Sequence, residues 1–224
     1  MTLEIGPKGK KVAAVAPDWP GLERGAKTGE AAIARLQAYL PRYAPVASLA
    51  GMETEFAAIT TDAATTAVVE QYPGTGSTDF WGISFAFSDI DQQGLSLDEL
   101  ERELTLMQAC WAFFDGVRAR VSAELQKGPR GGGRDRDRIV RHVLGTEQGL
   151  FAVKLGMHSS EGALLTDAGL SAYRDAYRSA IRAFHAQGKP PRTWPLRYLI
   201  RHTAYHTLDH AWEMEDKDLT ATRA

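Results

Sequence analysis

Residues 196–214, Leu196-Arg-Tyr-Leu-Ile-Arg-His-Thr-Ala-Tyr-His-Thr-Leu-Asp-His-Ala-Trp-Glu-Met214, combine an apolar stripe with a row of histidines. The apolar side chains recur at three- and four-residue steps, which is the period of one face of an α-helix. Pro195 is compatible with the first turn of such a helix, where a backbone N–H has no partner to lose. The pattern therefore predicts a helix that follows Thr193 and reaches about Asp216.

The three histidines of this helix, His202, His206 and His210, stand four residues apart and point in similar directions. Two imidazoles one turn apart can hold one metal ion, whereas the outer two of the three lie about 12 Å apart. On a helical wheel His210 falls inside the apolar stripe, His206 at its margin and His202 nearer the solvent edge. Near-buried imidazoles need polar partners, and a shared metal ion supplies one. We therefore expect His206 and His210 to be the ligating pair.

A third ligand is expected from another helix, and His142 is the candidate because it flanks an apolar stripe of its own segment. Three imidazole ligands leave a fourth position open to water or substrate, as in catalytic zinc sites. His202 is interpreted as a neighbour of the site or a solvent-facing residue rather than a ligand. Glu147 is either an acceptor or base near the site or a solvated helix cap. Thr203 stands where a His-Glu-x-x-His metalloprotease motif needs a carboxylate, so that motif is absent.

Other side chains that often carry chemistry have a structural interpretation here. His158 and His185 are expected in a loop or on the surface, and Asp209 in an exposed ion pair. Cys110 has no catalytic partner placed by the sequence and is interpreted as a small buried hydrophobe. The predicted core includes the aromatic residues Trp111, Phe114 and Tyr177.

Helical patterns also fill the chain between residue 96 and the histidine helix. Ser96-Leu-Asp-Glu99 is a capping box that begins a long amphipathic helix. Helices of this length with apolar stripes are expected to close into a four-helix bundle, predicted over residues 93–224. The predicted helices before the last one span about 96–125, Arg134–Gly156 and Asp167–Gln187, with a Gly- and Arg-rich linker over 128–137.

The first part of the chain, residues 1–92, is predicted to be a small α+β domain because its patterns are short and interrupted by turn residues. Pro41 is expected to lie beyond the end of its helix. The expected elements are a strand over Lys11–Ala16, a helix from Thr28 to about Leu40, and strands over Thr66–Tyr72 and Phe80–Phe87. The fold class is therefore α+β, with a small α/β unit followed by a helical bundle.

Composition narrows the function classes. The chain has 224 residues, a net charge of −2, one cysteine and six histidines. A near-neutral balance argues against a dedicated nucleic-acid-binding protein, since such proteins carry a basic excess. No run of about 18 apolar residues is present, so neither a membrane span nor a membrane partner is expected. A single cysteine and the lack of an apolar leader segment predict a cytoplasmic protein.

The bundle closely resembles the DinB-like (YfiT-like) metal-binding four-helix bundle family over about residues 96–219. A histidine on the second helix and the His-x-x-x-His-x-x-x-His row on the last carry the resemblance. It implies that His142, His206 and His210 are ligands of a divalent metal, which is zinc, nickel, iron or manganese. The segment Ala211-Trp-Glu-Met214 departs from the His-Arg-Gly-Gln-like continuation of that family, so the resemblance is to a divergent branch of it.

Characterised members of this family imply a function: some are thiol-dependent transferases or isomerases. The expectation is therefore a metal-dependent S-transferase or isomerase that uses a low-molecular-weight thiol and a small electrophile. The resemblance also allows a homodimer. Residues 11–45 weakly resemble HicB-like antitoxin domains, which implies a ferredoxin-like layer. The alternative is a non-enzymatic, metal-binding stress-associated or antitoxin-like module that binds a protein partner.

Overall fold

The computed structural model describes residues 1–61, 67–129, 131–160, 162–188 and 194–220, and its fold class is α+β. The strands lie in the first third of the chain, and the longest helices follow Ser96. The strands are β1 (Thr2–Ile5), β2 (Val12–Val15), β3 (Glu23–Ala26) and β4 (Glu70–Pro73). The helices are α1 (Gly29–Leu49), α2 (Glu53–Thr61), α3 (Gly76–Trp81), α4 (Asp89–Gln92), α5 (Leu97–Arg120), α6 (Arg136–Thr146), α7 (Ala152–Lys154), α8 (Asp167–Ala186) and α9 (Leu196–Asp216), with a π-helical turn over Glu147–Phe151 and a 3-10 turn over Ala163–Leu165.

The strands form one mixed sheet in the order β3-β2-β1-β4. β1 runs antiparallel to β2 and parallel to β4, so Thr2 pairs with Val15 on one side and with Glu70 on the other. The strand predicted over Lys11–Ala16 is confirmed as β2. Of the strand predicted over Thr66–Tyr72, Thr66 lies outside the described residues, and the observed strand β4 begins only at Glu70.

Helix α1 continues past the proline that was expected to lie beyond it. Thr28 caps its N-terminus as predicted, accepting a hydrogen bond from the backbone N–H of Ala31 at 3.2 Å. The helix then runs to Leu49 with Pro41 and Pro45 inside it, so the predicted end near Leu40 is wrong. Each proline removes one backbone hydrogen bond. Burial of the following residues offsets that loss, because Tyr43, Val46 and Ala47 are fully buried.

The strand predicted over Phe80–Phe87 is wrong. Phe80 and Trp81 end helix α3, and Gly82 terminates it in the left-handed conformation at φ 73°. Beyond it, the backbone N–H groups of Ser84, Phe85 and Ala86 donate to buried carboxylates and not to a neighbouring strand. A backbone whose donors are satisfied by side chains has no need of a sheet ladder.

The predicted helices of the second part are observed with shifted bounds. The capping box at Ser96 is confirmed, with Ser96 and Glu99 each accepting the other's backbone N–H, and α5 ends at Arg120 rather than near residue 125. The helix predicted over Arg134–Gly156 is divided by its π-helical turn. Helix α9 packs along α5, α6 packs on α9, and α8 is tied to both α5 and α9 by side-chain hydrogen bonds.

A buried ionic cluster joins the sheet to helix α9. We call it the arginine cluster, and it consists of Arg201, Asp91, Glu23, Glu4 and Ser84, each at most 3% exposed. Arg201 donates through Nε and Nη2 to both oxygens of Asp91, at 2.6 Å each. Glu4 accepts from the hydroxyls of Thr78 and Ser84 and from two backbone N–H groups.

The apolar core is continuous between the two parts of the chain. One cluster of buried side chains takes in Leu3 and Val12 of the sheet, Tyr43 of α1, Met107 of α5 and Leu208 of α9. The first part therefore packs directly on α5 and α9. Within the described residues, none of the helices combines the length and apolar character needed to cross a bilayer.

Candidate metal centre

The three histidines singled out from the sequence come together between helices α6 and α9. One nitrogen from each of His142, His206 and His210 lies within 4.8 Å of the others. We call this group the histidine cluster. His142 is exposed, His206 half-buried and His210 buried. The cluster therefore lies at the protein surface, with one side open to solvent and the other set into the helix pair.

The spacing of the nitrogens fits a shared ion. The Nε2 atoms of His142 and His206 lie 3.3 Å apart. Two nitrogens bound tetrahedrally to one zinc ion at about 2.0–2.1 Å lie about 3.3 Å from each other. The wider separations within the cluster require rotation of the third imidazole toward the other two. The residues present therefore suit a divalent cation that takes nitrogen ligands.

Glu213 fixes the orientation and the tautomer of His210. Its Oε2 atom lies 2.7 Å from His210 Nδ1. Burial opposes ionisation of Glu213, but hydrogen bonds from His210 and Lys217 and the charge of Arg134 outweigh it and lower its pKa to about 2. An ionised carboxylate can only accept, so His210 donates from Nδ1, and in the neutral ring the lone pair is then on Nε2. A carboxylate bonded to the far nitrogen is the usual support of a ligating histidine.

Two cations hold Glu213 in place. Arg134 donates to its Oε2 atom at 2.9 Å, and Lys217 donates to its Oε1 atom at 2.6 Å. Arg134 belongs to the Gly- and Arg-rich linker, which was interpreted only as a solvated connection. The structure shows that the end of this linker reaches the histidine cluster, since Arg134 Nη2 lies 3.5 Å from His210 Nδ1.

The surroundings of the cluster disfavour the protonated forms of His206 and His142. Burial, followed by the charges of His210 and His142, lowers the pKa of His206 to about 2. Burial and the charge of His210 also lower the pKa of His142. Only a neutral imidazole offers the lone pair that a metal needs, so the environment favours the ligating form at physiological pH.

An aromatic side chain closes one side of the cluster. Phe151, at the end of the π-helical turn, is buried, and its ring centroid lies 5.7 Å from that of His206. His206 Nδ1 is buried and has no hydrogen-bond partner among the described residues. The interior side of His206 is therefore apolar, which leaves Nε2 as its outward-facing nitrogen.

His202 and Glu147, whose roles the sequence left undecided, lie outside the histidine cluster. His202 is 5% exposed and stacks on Tyr198 with ring centroids 5.1 Å apart, so the expected position near the solvent edge is wrong. A helical wheel takes no account of Phe85, Phe151 and Trp194, whose rings pack around His202. Glu147 is buried in the bundle, where it accepts a hydrogen bond from Trp111 Nε1 at 2.9 Å. Burial raises the pKa of Glu147 to about 7, against the opposing charge of Arg174.

The remaining interpretations are confirmed for His158, Cys110 and the aromatic core, and hold in part for His185 and Asp209, whose partner Arg24 is buried. His158 is exposed in a loop, whereas His185 is half-buried in the last turn of α8, with its Nε2 atom 2.7 Å from the carbonyl oxygen of Leu95. Cys110 is buried, which raises the pKa of its thiol. Asp209 pairs with Arg24 at 3.0 Å. The predicted aromatic core residues, Trp111, Phe114 and Tyr177, are all at most 2% exposed.

Sequence reasoning missed Glu213 and the whole arginine cluster. Glu213 follows His210 by three residues on the same helix, so the His-x-x-Glu spacing was a usable signal. The arginine cluster joins residues that are far apart in sequence, so no local residue spacing indicates it.

Comparison of the chain with protein-family models, curated proteins and solved structures finds no match. The case for function therefore depends on the site and on the resemblance described from the sequence.

Proposed function

We propose that the chain is a divalent-metal-dependent enzyme whose metal is held by His142, His206 and His210. The observation that carries the proposal is the convergence of one nitrogen from each imidazole within 4.8 Å. Three nitrogen ligands and an open side are the arrangement of a catalytic rather than a structural site. Zinc, nickel, iron and manganese all accept such ligands, so the metal is assigned by class.

The protein's own groups prepare this site. Glu213 holds His210 in the tautomer whose Nε2 atom is free, and Arg134 and Lys217 hold Glu213. Phe151 closes the interior side of His206, so water and ligand approach from the side of exposed His142. When bound, a divalent cation deprotonates a coordinating thiol at neutral pH.

The reaction class we propose is thiol-dependent S-transfer or isomerisation of a small electrophile. In the transfer, the thiol loses its proton and its sulfur bonds to the electrophilic carbon. The leaving group departs with the electron pair of the bond that breaks. The support for this class is the resemblance of residues 96–219 to DinB-like bundles. We also propose that residues 1–92 form a HicB-like unit and that the protein is cytoplasmic.

The test is whether the protein catalyses thiol transfer to an electrophile and whether this activity requires the histidine cluster. Metal-loaded wild-type protein is assayed with glutathione, mycothiol and bacillithiol, each with monochlorobimane as electrophile. We expect a rate above the uncatalysed reaction with one thiol, lost in His206→Ala and kept in His158→Ala. His158 is an exposed histidine outside the cluster, so it controls for the loss of an imidazole.

Two outcomes contradict the enzyme proposal. The first is equal turnover by wild type and His206→Ala. The second is tight metal binding with no turnover for any thiol, while a protein partner copurifies through residues 1–92. That second outcome assigns the chain to the non-enzymatic interaction modules.

A further inference from the structure

Two adjacent aromatic residues project into solvent beside a lysine-rich turn. Phe80 is 66% exposed and Trp81 61% exposed, and their rings meet edge to face with centroids 4.5 Å apart. Lys8 and Lys10 are exposed in the turn between β1 and β2, and Lys11 is half-exposed. We call these five residues the aromatic–lysine patch.

Hydrogen bonds fix the turn to the helix that carries the aromatic pair. The carboxylate of Asp79, on α3, accepts the backbone N–H groups of Lys8 at 2.7 Å and Lys10 at 2.8 Å. Lys11 Nζ donates to the carbonyl oxygen of Phe80 at 2.6 Å. The lysines and the aromatic rings therefore form one continuous surface whose parts keep their relative positions.

The far end of α3 is held equally closely. Gly82 lies against Gly25 of β3, where a Cβ atom on Gly25 would come within 1.9 Å of the Gly82 carbonyl oxygen. This contact anchors the aromatic pair to the sheet at the point where α3 ends. Exposed aromatic rings on an anchored support lose little conformational entropy when they enter an interface.

The charge of the patch contrasts with that of the whole chain. The chain carries a net charge of −2, yet the patch brings three lysines together. The acidic residue beside them, Asp79, is 8% exposed and is occupied by the backbone of the turn. Lys8 and Lys10 form no ion pair with any residue in the part of the chain that the structure describes.

We propose that the aromatic–lysine patch binds the surface of an anionic phospholipid bilayer. Phenylalanine and tryptophan insert at the boundary between headgroups and acyl chains, where Trp is favoured because its ring is amphipathic. Lysine side chains extend their ammonium groups toward lipid phosphates and carboxylates while their stems lie on apolar surface. The proposal concerns peripheral contact with a membrane, departs from the expectation that composition gave of no membrane partner, and is independent of the metal centre.

The geometry favours lipid over single-stranded nucleic acid. Nucleic-acid platforms combine a basic groove along the backbone with ring faces that are free for base stacking. Here the edge of one ring covers a face of the other. The charges sit on a tight turn, and all of them are lysines. A compact protrusion of this kind suits a flat charged surface.

The test is cosedimentation of the full chain with vesicles. Wild type is expected to bind phosphatidylcholine vesicles that contain phosphatidylserine, and to bind pure phosphatidylcholine vesicles weakly. Each lysine near an anionic membrane contributes about fivefold to binding, so Lys8→Gln/Lys10→Gln is expected to lower the partition coefficient about 30-fold. The separate variant Phe80→Ser/Trp81→Ser is expected to abolish vesicle binding. Its melting temperature should equal that of wild type, because both side chains are exposed.

Matched controls remove the same chemistry elsewhere. Lys27→Gln/Lys127→Gln changes the charge equally, and Leu97→Ser/Leu165→Ser removes two side chains that are 63% and 66% exposed. Both controls should bind like wild type. Absence of wild-type binding at low salt overturns the proposal, as does equal loss in a control and a patch variant. Binding of a labelled single-stranded oligonucleotide, but not of vesicles, through the same residues reassigns the patch to nucleic acid.

Discussion

Helix α9 carries two polar clusters that use their hydrogen-bonding groups differently. In the arginine cluster, Arg201 binds both oxygens of Asp91, and Glu4 accepts four hydrogen bonds. In the histidine cluster, the Nε2 atoms of His142 and His206 face each other, and His206 Nδ1 has no partner among the described residues. The residues of the arginine cluster are each at most 3% exposed, so that cluster is sealed from solvent. The histidine cluster is open to solvent at His142.

This difference separates a structural role from a ligand-binding role on one helix. Buried charges are tolerated only when they are paired and hydrogen-bonded, which the arginine cluster achieves within the protein. Imidazole nitrogens whose lone pairs converge, with no hydrogen-bond donor between them, can be satisfied by a bound metal cation. We therefore assign the arginine cluster to joining the sheet and the bundle, and the histidine cluster to the metal.

The largest expected effect comes from breaking the sealed cluster. Arg201→Met leaves Asp91 and Glu23 as buried acids without their cation, which costs about 3–5 kcal/mol in the free energy of unfolding. Arg182→Met is the matched control, because Arg182 holds Glu101 through the same Nε and Nη2 edge, at 2.6 and 2.7 Å, near the surface. An exposed pair contributes at most about 1 kcal/mol. Urea denaturation measures the free energy of unfolding of both variants. An equal loss of stability in Arg201→Met and Arg182→Met would refute the structural role of the arginine cluster.

A smaller effect is expected from weakening the support of the open cluster. Glu213→Gln removes the charge that holds His210 Nδ1–H, so metal affinity should fall about 10–100-fold without being abolished. Glu215→Gln is the control, since Glu215 pairs with Arg42 and Arg120 instead of with the histidines. Competition titration with a chromophoric chelator gives the Kd of each. Unchanged affinity in Glu213→Gln would show that the carboxylate is not part of the site.

The smallest effect concerns the pH dependence of the sealed cluster. Burial raises the pKa of Glu23 from 4.5 to about 8, against the opposing charge of Arg201. Between these pH values the folded protein binds more protons at Glu23 than the unfolded chain does. This stabilising contribution is complete below pH 4.5 and is lost as pH rises toward 8.

Glu23→Gln removes that titration, so the variant should gain stability relative to wild type as pH rises from 5.5 to 6.5. The expected gain is on the order of 1 kcal/mol. Chemical denaturation of both proteins at the two pH values measures it. Glu103 and Glu147, whose pKa values are also raised, are present in both proteins, so their contributions cancel in the difference. A difference that is constant with pH would mean that Glu23 is ionised in the folded protein throughout.

The two clusters also show what local sequence can and cannot predict. The histidine cluster was predictable because His206 and His210 share a helix face at a fixed spacing, and His142 flanks a second apolar stripe. The capping box at Ser96 and the strand over Lys11–Ala16 were predictable for the same reason, since each is encoded by residues within a few positions.

The arginine cluster was not predictable, because its members come from β1, β3, the segment before α4, α4 itself and α9. The wrong strand over Phe80–Phe87 has the same origin: buried Glu4 and Glu23 take the backbone donors of that segment. The predicted end of α1 before Pro41 was wrong for a related reason. Burial of Tyr43 and its neighbours stabilises the helix beyond the proline. Burial against distant parts of the chain decided each of these features.

The most direct test of the central claim is the metal content of untagged protein, by inductively coupled plasma mass spectrometry after reconstitution and desalting. Wild type, His210→Ala and His158→Ala are compared with zinc, nickel, iron and manganese. The histidine cluster predicts about one metal ion per chain in wild type and His158→Ala, and none in His210→Ala. A metal-free wild type, or an equal metal content in His210→Ala, would contradict the assignment of His142, His206 and His210 as a metal centre.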